Sequence, residues 1–262
     1  MTLLDMVLDD LAAESSRLES LVADLPEQEW RTPTPAPGWD VATQIAHLTW
    51  TDEAAHLAAT DKERWDALVL QMLDDAEHAV DRAALAGADA APAEILRRWR
   101  TARQRLAETL RGYPEGQRIP WYGPPMSATS MATARFMETW AHGLDVHQAL
   151  GAEPEISDRI RHVAHLGVRA RDYAFSLHRA PDPTEQFRVD LTAPSGDLWS
   201  WGPEDATQTV TGAAYDFCLL VTRRINRADT SLVAIGRDAN LWLNIAQAFA
   251  GPPGAGREAR DG

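Results

Sequence analysis

Apolar residues recur at every third or fourth position through much of the chain, as expected when one face of an α-helix is buried. In residues 3–23, Leu4, Leu8, Leu11 and Leu18 fall on one side of such a helix, and acidic residues occupy the other. Proline and glycine separate this segment from others with the same periodicity. The helices predicted in this way cover residues 3–23, 41–60, 62–84, 93–111, 127–150 and 155–178.

A different pattern begins after residue 185. Residues 187–191 alternate between apolar and polar side chains, as expected of a half-buried β-strand. Residues 193–197 have the composition of a turn, so residues 198–201 are predicted to return as the hairpin partner. The remaining elements predicted here are strands at 207–211 and 231–235 and helices at 212–226 and 238–249.

These patterns predict a mainly α-helical protein that ends in a small α+β domain. A helical bundle is expected over residues 1–152, and an α+β domain with a linking helix over residues 153–250. Residues 251–262 are rich in glycine, proline and charge, and they are predicted to be a disordered tail. The chain of 262 residues is long enough to bury a core in this arrangement.

The net charge of the chain makes some classes of binding partner less favourable. The chain has 25 Lys and Arg residues against 39 Asp and Glu residues, a formal net charge of −14, which disfavours binding to nucleic acid or to an anionic membrane surface. Cys218 is the one cysteine, so no internal disulfide is expected, and its apolar neighbours predict a buried, unreactive thiol. Neither a signal peptide nor a membrane span is apparent, and a cytoplasmic, soluble protein is expected.

Candidate chemistry appears on the helix predicted at 127–150. At about 100° per residue, Glu138 and His142 lie roughly 40° apart, and Asp145 lies roughly 20° from Glu138. His147 falls on the opposite side of the helix and is excluded from this group. A carboxylate and an imidazole one turn apart on an inward face suit a divalent metal such as zinc.

A third metal ligand has to come from another helix, and His47 is the best candidate. It lies near the apolar seam of the helix that follows the turn Pro37-Gly38-Trp39, whereas His56, nine residues later, faces another way. Three protein ligands leave one position open, as in catalytic zinc sites, and Asp145 is then placed to support an imidazole or to accept a proton. A Glu-x3-His pair is also common on a solvated helix face, so these residues alone leave both interpretations open.

Three groups of arginines have ordinary explanations. The arginines of residues 97–105 are expected to form a basic outer helix face, although they also suit an anion. Arg223 and Arg224 complement the negative end of a predicted helix or, alternatively, clamp a substrate carboxylate. Arg135 precedes Glu138 by one turn, and we expect the two to form an ion pair.

Two motifs resemble a known family, the DinB-like, mycothiol-dependent maleylpyruvate isomerase superfamily. The first opens the second predicted helix and reads Pro37-Gly38-Trp39-Asp40-Val41-x4-Ala46-His47-Leu48. The second reads Arg135-x2-Glu138-x3-His142-x2-Asp145. Residues 210–223 are also similar to the small C-terminal domain of that family.

The resemblance implies a four-helix bundle with a metal at one end and a small second domain. It implies that His47, Glu138 and His142 bind a divalent metal, zinc being the first expectation, and that Asp145 is the nearby functional carboxylate. It also implies mycothiol, a low-molecular-weight thiol, as cosubstrate. The segment 61–125, with its Trp121-Tyr122-Gly123 loop, departs from the family pattern, so maleylpyruvate is not assumed to be the substrate.

The leading functional hypothesis is therefore a mycothiol-dependent isomerase or S-transferase that acts on a small electrophilic metabolite. One alternative is a metal-dependent hydrolase or hydratase that uses a metal-bound water. Another is a non-catalytic protein that binds a metal or a small molecule. The sequence leaves open the substrate, the metal, the oligomeric state and the roles of Trp121, Tyr122 and Arg135.

Overall fold

The computed structural model describes residues 1–75, 78–251, 254 and 256–260. The chain forms two compact units, Met1–Pro154 and Glu155–Gly262. Helices dominate the first unit and a four-stranded sheet is found in the second, which confirms the predicted fold class. Within the described residues, no helix is both long enough and apolar enough to cross a membrane.

A four-helix bundle forms the N-terminal unit. Its members are α1, α2, α5 and α6, while α3 and α4 pack against α2. The predicted N-cap of α2 is confirmed, because Asp40 Oδ1 accepts a hydrogen bond from the Thr43 backbone N–H at 2.8 Å. The helices are α1 (Leu3–Val22), α2 (Val41–Thr60), α3 (Lys62–Leu73), α4 (Ala79–Ala88), α5 (Pro92–Arg111) and α6 (Ala128–Ala149).

Helix α2 lies at the centre of this unit and is buried along most of its length. Ile45 and Leu48 belong to one apolar cluster of the bundle, together with the fully buried Trp99 of α5. Because α2 is buried on nearly every side, polar residues such as Gln44 and His47 also lie in the interior. Buried polar groups require partners, so these residues are the first place to look for a site.

The stretch 62–84 was expected to be a single helix, and that expectation is wrong. Helix α3 ends at Leu73 and α4 begins at Ala79; residues 76 and 77 between them lie outside the described part of the chain. The carboxylate of Asp75 binds His78 Nδ1 at 2.9 Å and the guanidinium of Arg82. Aspartate side chains that bond locally in this way compete with helix continuation.

The C-terminal unit contains the mixed sheet, whose strand order is β2-β1-β3-β4. The predicted hairpin of β1 and β2 is confirmed; β1 also pairs in parallel with β3, and β3 pairs antiparallel with β4. The strands are β1 (Phe187–Thr192), β2 (Leu198–Trp201), β3 (Gln208–Ala213) and β4 (Val233–Ile235). The helices are α7 (Arg161–Arg169), α8 (Arg171–Leu177), α9 (Ala214–Val221) and α10 (Arg237–Ile245).

Three predicted helices of this unit differ from the structure, and the last of them ends at Ile245 instead of residue 249. The segment 155–178 is a short 3₁₀ turn followed by α7 and α8, which separate at Ala170, where ψ is 2°. Helix α9 is shorter than predicted because β3 extends to Ala213 and Arg223 adopts a positive φ of 64°. Part of the tail predicted at 251–262 lies outside the described residues, and Asn226 Nδ2 donates to the Arg257 carbonyl within it at 2.9 Å.

Candidate metal centre

His47 of α2 and Glu138 and His142 of α6 come together inside the bundle. Their candidate ligand atoms all lie within 4.8 Å of one another. Glu138 Oε2 is 3.1 Å from His142 Nε2 and 3.8 Å from His47 Nε2, and the two imidazole centroids are 4.5 Å apart. The structure therefore brings together the three residues that the sequence selected.

The turn that precedes α2 places His47. Gly38 has a φ of +79°, a conformation that residues with a Cβ rarely adopt, and it allows the chain to reverse between Pro37 and Trp39. Asp40 then caps α2, so the helix starts at a fixed residue and His47 follows in its second turn. The same turn carries the Trp39 ring, which stacks on His142 at a centroid distance of 5.8 Å and tilts against His47 at 5.1 Å.

Gln44 is a site residue that the sequence analysis missed. Its Oε1 accepts a hydrogen bond from His142 Nδ1 at 2.5 Å, while its Nε2 donates to Thr34 Oγ1 at 2.9 Å. Thr34 Oγ1 in turn donates to the Trp39 carbonyl at 2.9 Å. With Nδ1 held by Gln44, Nε2 of His142 faces Glu138, the orientation found in metal sites whose imidazoles are held by a second partner.

The electrostatics of the cluster favour an ionised Glu138. Burial alone would raise its pKa, but the facing imidazoles of His142 and His47 and the nearby charge of Arg135 outweigh this and hold the pKa well below its usual range. The carboxylate is therefore present in the form that a divalent cation binds.

The arrangement fits a divalent metal on two observations. Three ligands of one tetrahedral zinc, each about 2.0–2.2 Å from the ion, lie roughly 3.4 Å from one another, close to the separations found between Glu138 and the two imidazoles. The donor set, two imidazoles and one carboxylate, is one that binds zinc in catalytic sites.

The predicted ion pair between Arg135 and Glu138 is wrong. Arg135 Nε donates to Asp52 Oδ1 of α2 at 2.9 Å, and its Nη2 donates to the Thr51 hydroxyl. Both charged side chains are almost completely buried. Burial raises the pKa of Asp52, and the facing Arg135 offsets only part of this effect.

The other candidates are not among the converging ligands found in the described residues. Asp145 is buried on α6 three residues after His142, and its predicted catalytic role stays a prediction. His56 Nδ1 is 2.8 Å from the Thr109 hydroxyl, and His147 is not among the converging ligands, as the sequence predicted. Cys218 is buried and burial raises its pKa, in agreement with an unreactive thiol.

The bundle and its His–Glu–His cluster define a helical protein with a candidate metal centre. Comparison with protein families is more specific: the family model described as the mycothiol maleylpyruvate isomerase N-terminal domain matches residues 11–147. The chain therefore belongs to the mycothiol maleylpyruvate isomerase family. A second model, described as wyosine base formation, matches residues 183–234.

Two uncharacterized Mycobacterium tuberculosis proteins, from strains CDC 1551 / Oshkosh and ATCC 25618 / H37Rv, are 54% identical to this chain over 248 residues. The alignments cover 95% of this chain and 96% of each relative. Crystal structures of the mycothiol-dependent maleylpyruvate isomerase and of a mutant of it are similar in fold, with a TM-score of 0.60 and 16% identity. The structural alignments cover 89% of this chain and 95% of each crystallised chain.

Proposed function

We propose that this protein is a metal-dependent enzyme of thiol chemistry that uses mycothiol to act on a small electrophilic molecule. The observation that carries the proposal is the convergence of His47, Glu138 and His142, within 4.8 Å, in a chain of the mycothiol maleylpyruvate isomerase family. The reaction is an S-transfer if the thiol stays attached, or an isomerisation if the thiol leaves after rotation about a bond.

His47, Glu138 and His142 would hold the metal, with zinc as the first expectation. A divalent metal bound there would lower the pKa of a coordinated thiol, so that the sulfur is a nucleophilic thiolate at neutral pH. Three protein ligands leave room for such an exogenous group. The hydrolase alternative uses the same three residues but needs no thiol, so dependence on mycothiol separates the two.

The remaining residues of the site position these ligands. Gln44 fixes the orientation of His142, and the low pKa of Glu138 keeps its carboxylate charged before any metal arrives. Trp39 stacks on one face of His142 and helps to hold the orientation of that ring. Asp145, three residues beyond His142, is proposed as the carboxylate that supports the site or receives a proton during turnover.

The role of Asp145 is tested by Asp145→Asn, which keeps the shape of the side chain and removes its charge. Loss of turnover with metal content unchanged, together with a shift in the pH profile of kcat, supports a proton-accepting role. Unchanged kcat at every pH would contradict it.

The test of the proposed function is metal content, measured by elemental analysis on protein purified without a metal-affinity column. We expect about one equivalent in the wild type and almost none in His142→Ala. The matched control is His56→Ala, which removes a histidine of the same bundle that contacts Thr109 instead of the cluster. Wild-type protein that holds no metal, and takes up none when zinc is added, would contradict the proposal.

Activity is then measured with mycothiol and a panel of electrophiles. Turnover that requires both the metal and the thiol supports the proposal. Turnover that persists without any thiol would favour the hydrolase or hydratase. Metal binding with no exchangeable position and no turnover would favour a binding protein.

A further inference from the structure

Four aromatic side chains form a continuous cluster in the N-terminal unit. Trp65 and Trp121 stack with a centroid distance of 5.5 Å and an interplanar angle of 11°. The Tyr122 ring packs on both of them at 5.0 Å and lies nearly parallel to Trp50 at 6.3 Å. The aromatic shelf, as we name Trp50, Trp65, Trp121 and Tyr122, is built from α2, α3 and the connection between α5 and α6.

The connection that carries Trp121 and Tyr122 is held in place at its base. The backbones of Ile119 and Met126 exchange two hydrogen bonds, of 2.7 and 2.9 Å, and Ile119 is fully buried. Trp65, beneath the shelf, is only 3% exposed, whereas Tyr122 is 38% exposed. The shelf therefore has a buried foundation and an outer ring that solvent reaches.

The shelf is continuous with the candidate metal centre. Trp50 follows His47 by three residues on α2, and their ring centroids are 6.3 Å apart. Trp39 lies against both imidazoles of the centre. Aromatic rings thus extend from the candidate metal ligands through Trp50 to the exposed Tyr122.

The shelf is an uncharged aromatic surface. None of its four side chains carries a charge, and burial raises the pKa of the Tyr122 phenol, so this group stays neutral. Aromatic faces are electron-rich, and they attract apolar, planar groups or the edges of other rings. An anionic carboxylate gains nothing from such a surface.

We propose that Trp50 and Tyr122 are specificity-determining residues that receive the planar, conjugated and uncharged part of the electrophile. This inference rests on the proposed function, because the metal centre next to the shelf is where the thiol would react. The substrate class is then an aryl or extended conjugated electrophile, not a small dicarboxylate.

Binding is tested first, with a probe that cannot react. The saturated ketone 4-phenyl-2-butanone is titrated into the metal-loaded protein, and its affinity is measured by NMR. Stacking contacts of this kind predict a roughly threefold to tenfold loss of affinity in Trp50→Leu and in Tyr122→Leu. Tyr122→Phe keeps the ring and is expected to stay within about twofold of the wild type.

A matched control is available in the same connection. Tyr113 donates its hydroxyl to the Arg118 carbonyl at 3.2 Å, and it makes no ring contact with the shelf among the described residues. Tyr113→Leu is expected to leave the affinity unchanged. An equal loss in this control would mean that a looser connection, and not the shelf, causes the effect, and unchanged affinity in both leucine variants of the shelf would also overturn the proposal.

Turnover with mycothiol is tested second, on two enones that differ only in the group to be stacked. The thiol adds across the carbon–carbon double bond: a carbon–sulfur bond forms, the π bond breaks, and the thiol proton ends on the carbon next to the carbonyl. In Tyr122→Leu the KM for trans-4-phenyl-3-buten-2-one should rise roughly threefold to tenfold, while the KM for trans-3-penten-2-one stays unchanged.

A raised KM for mycothiol with both enones would mean that the shelf holds the thiol cosubstrate, which overturns the assignment. If neither enone is turned over by the wild type, the proposed thiol chemistry of these electrophiles fails. The binding of 4-phenyl-2-butanone still decides the shelf in that case, because it depends on no reaction.

Discussion

Helices α2 and α6 meet at two polar clusters that differ in how completely they are satisfied. The closed cluster consists of Thr51, Asp52 and Arg135, and the open cluster of His47, Glu138 and His142. Both are drawn from the same two helices, within a few residues of each other. Each also contains a carboxylate that faces nitrogen atoms. Comparing the two therefore shows how a cluster that stabilises the fold differs from a candidate binding site.

In the closed cluster, the charges and hydrogen bonds are matched within the protein. Arg135 and Asp52 are almost inaccessible to solvent, and the Thr51 hydroxyl also donates to the His47 carbonyl at 2.9 Å. In the open cluster, the side chains of Glu138 and His142 remain 21% and 13% exposed, and the buried Nδ1 of His47 has no hydrogen-bond partner in the described part of the chain. Buried side chains whose hydrogen bonds and charges are all paired within the protein stabilise the fold. Side chains that converge and still have unused ligand atoms indicate a binding site.

The largest effect is expected in the closed cluster. Arg135→Met leaves Asp52 buried beside no cation, which should lower the free energy of unfolding by about 3–5 kcal/mol. Chemical denaturation of the metal-free protein measures this. The double variant Arg135→Met/Asp52→Leu should recover much of the loss, because it removes the buried charge as well; a double variant no more stable than the single one would contradict the assignment.

In the open cluster, stability should depend on added metal. Zinc at about one hundred times its Kd should raise the free energy of unfolding of the wild type by about 2.7 kcal/mol. His47→Ala should show almost none of this gain, and thermal unfolding with and without zinc measures both. A gain of equal size in His47→Ala would place the metal at other residues.

A smaller effect is expected from the residue that supports the open cluster. Gln44→Leu removes the acceptor for His142 Nδ1, and loss of such a partner lowers metal affinity by about tenfold to a hundredfold. Competition with a chromogenic chelator measures the affinity. Gln44→Glu keeps an oxygen acceptor and should lie closer to the wild type than the leucine variant does; if both bind metal as the wild type does, Gln44 is not a supporting residue.

The smallest effect is a contrast in pH dependence. Because the pKa of Glu138 is lowered on folding, its contribution to stability is present above the unfolded pKa and is lost as the pH falls through the folded pKa. The pKa of Asp52 is raised, so its contribution is present below the unfolded pKa and is lost as the pH rises through the folded pKa.

Unfolding of the metal-free protein between about pH 3 and pH 6 tests this contrast. Relative to the wild type, Glu138→Gln should lose less stability as the pH falls, and Asp52→Asn should lose less as the pH rises. Parallel profiles for all three proteins would show that neither carboxylate changes its pKa on folding.

Much of the fold follows from periodicity alone. Helices α1, α2, α5 and α6 begin and end within a residue or two of the prediction, because each joins a strong apolar stripe to a recognisable cap or breaker. The break between α3 and α4 was missed because it depends on the local bonds of Asp75 in a weakly patterned segment. The division of 155–178 into α7 and α8 was also missed, because the apolar pattern runs through Ala170.

The candidate site was predictable where its residues share one helix. Glu138 and His142 follow from helical geometry, and His47 from its place after the Pro37-Gly38-Trp39 turn. Gln44 precedes His47 by about one helical turn. A glutamine at that spacing is too common to identify it as a site residue from the sequence. The partner of Arg135 was misassigned because a residue one turn away was preferred to Asp52, whose proximity depends on how α2 packs against α6.

Two members of the aromatic shelf differ from the candidate metal ligands in the kind of chain segment that carries them. The ligands stand on two long helices that the core holds, whereas Trp121 and Tyr122 stand on a connection between helices. Connections tolerate change far better than buried helices do. Substitutions in this connection can therefore alter the shelf while the candidate metal centre stays intact. We therefore expect related chains to share the candidate metal centre and to differ in the substrates that they bind.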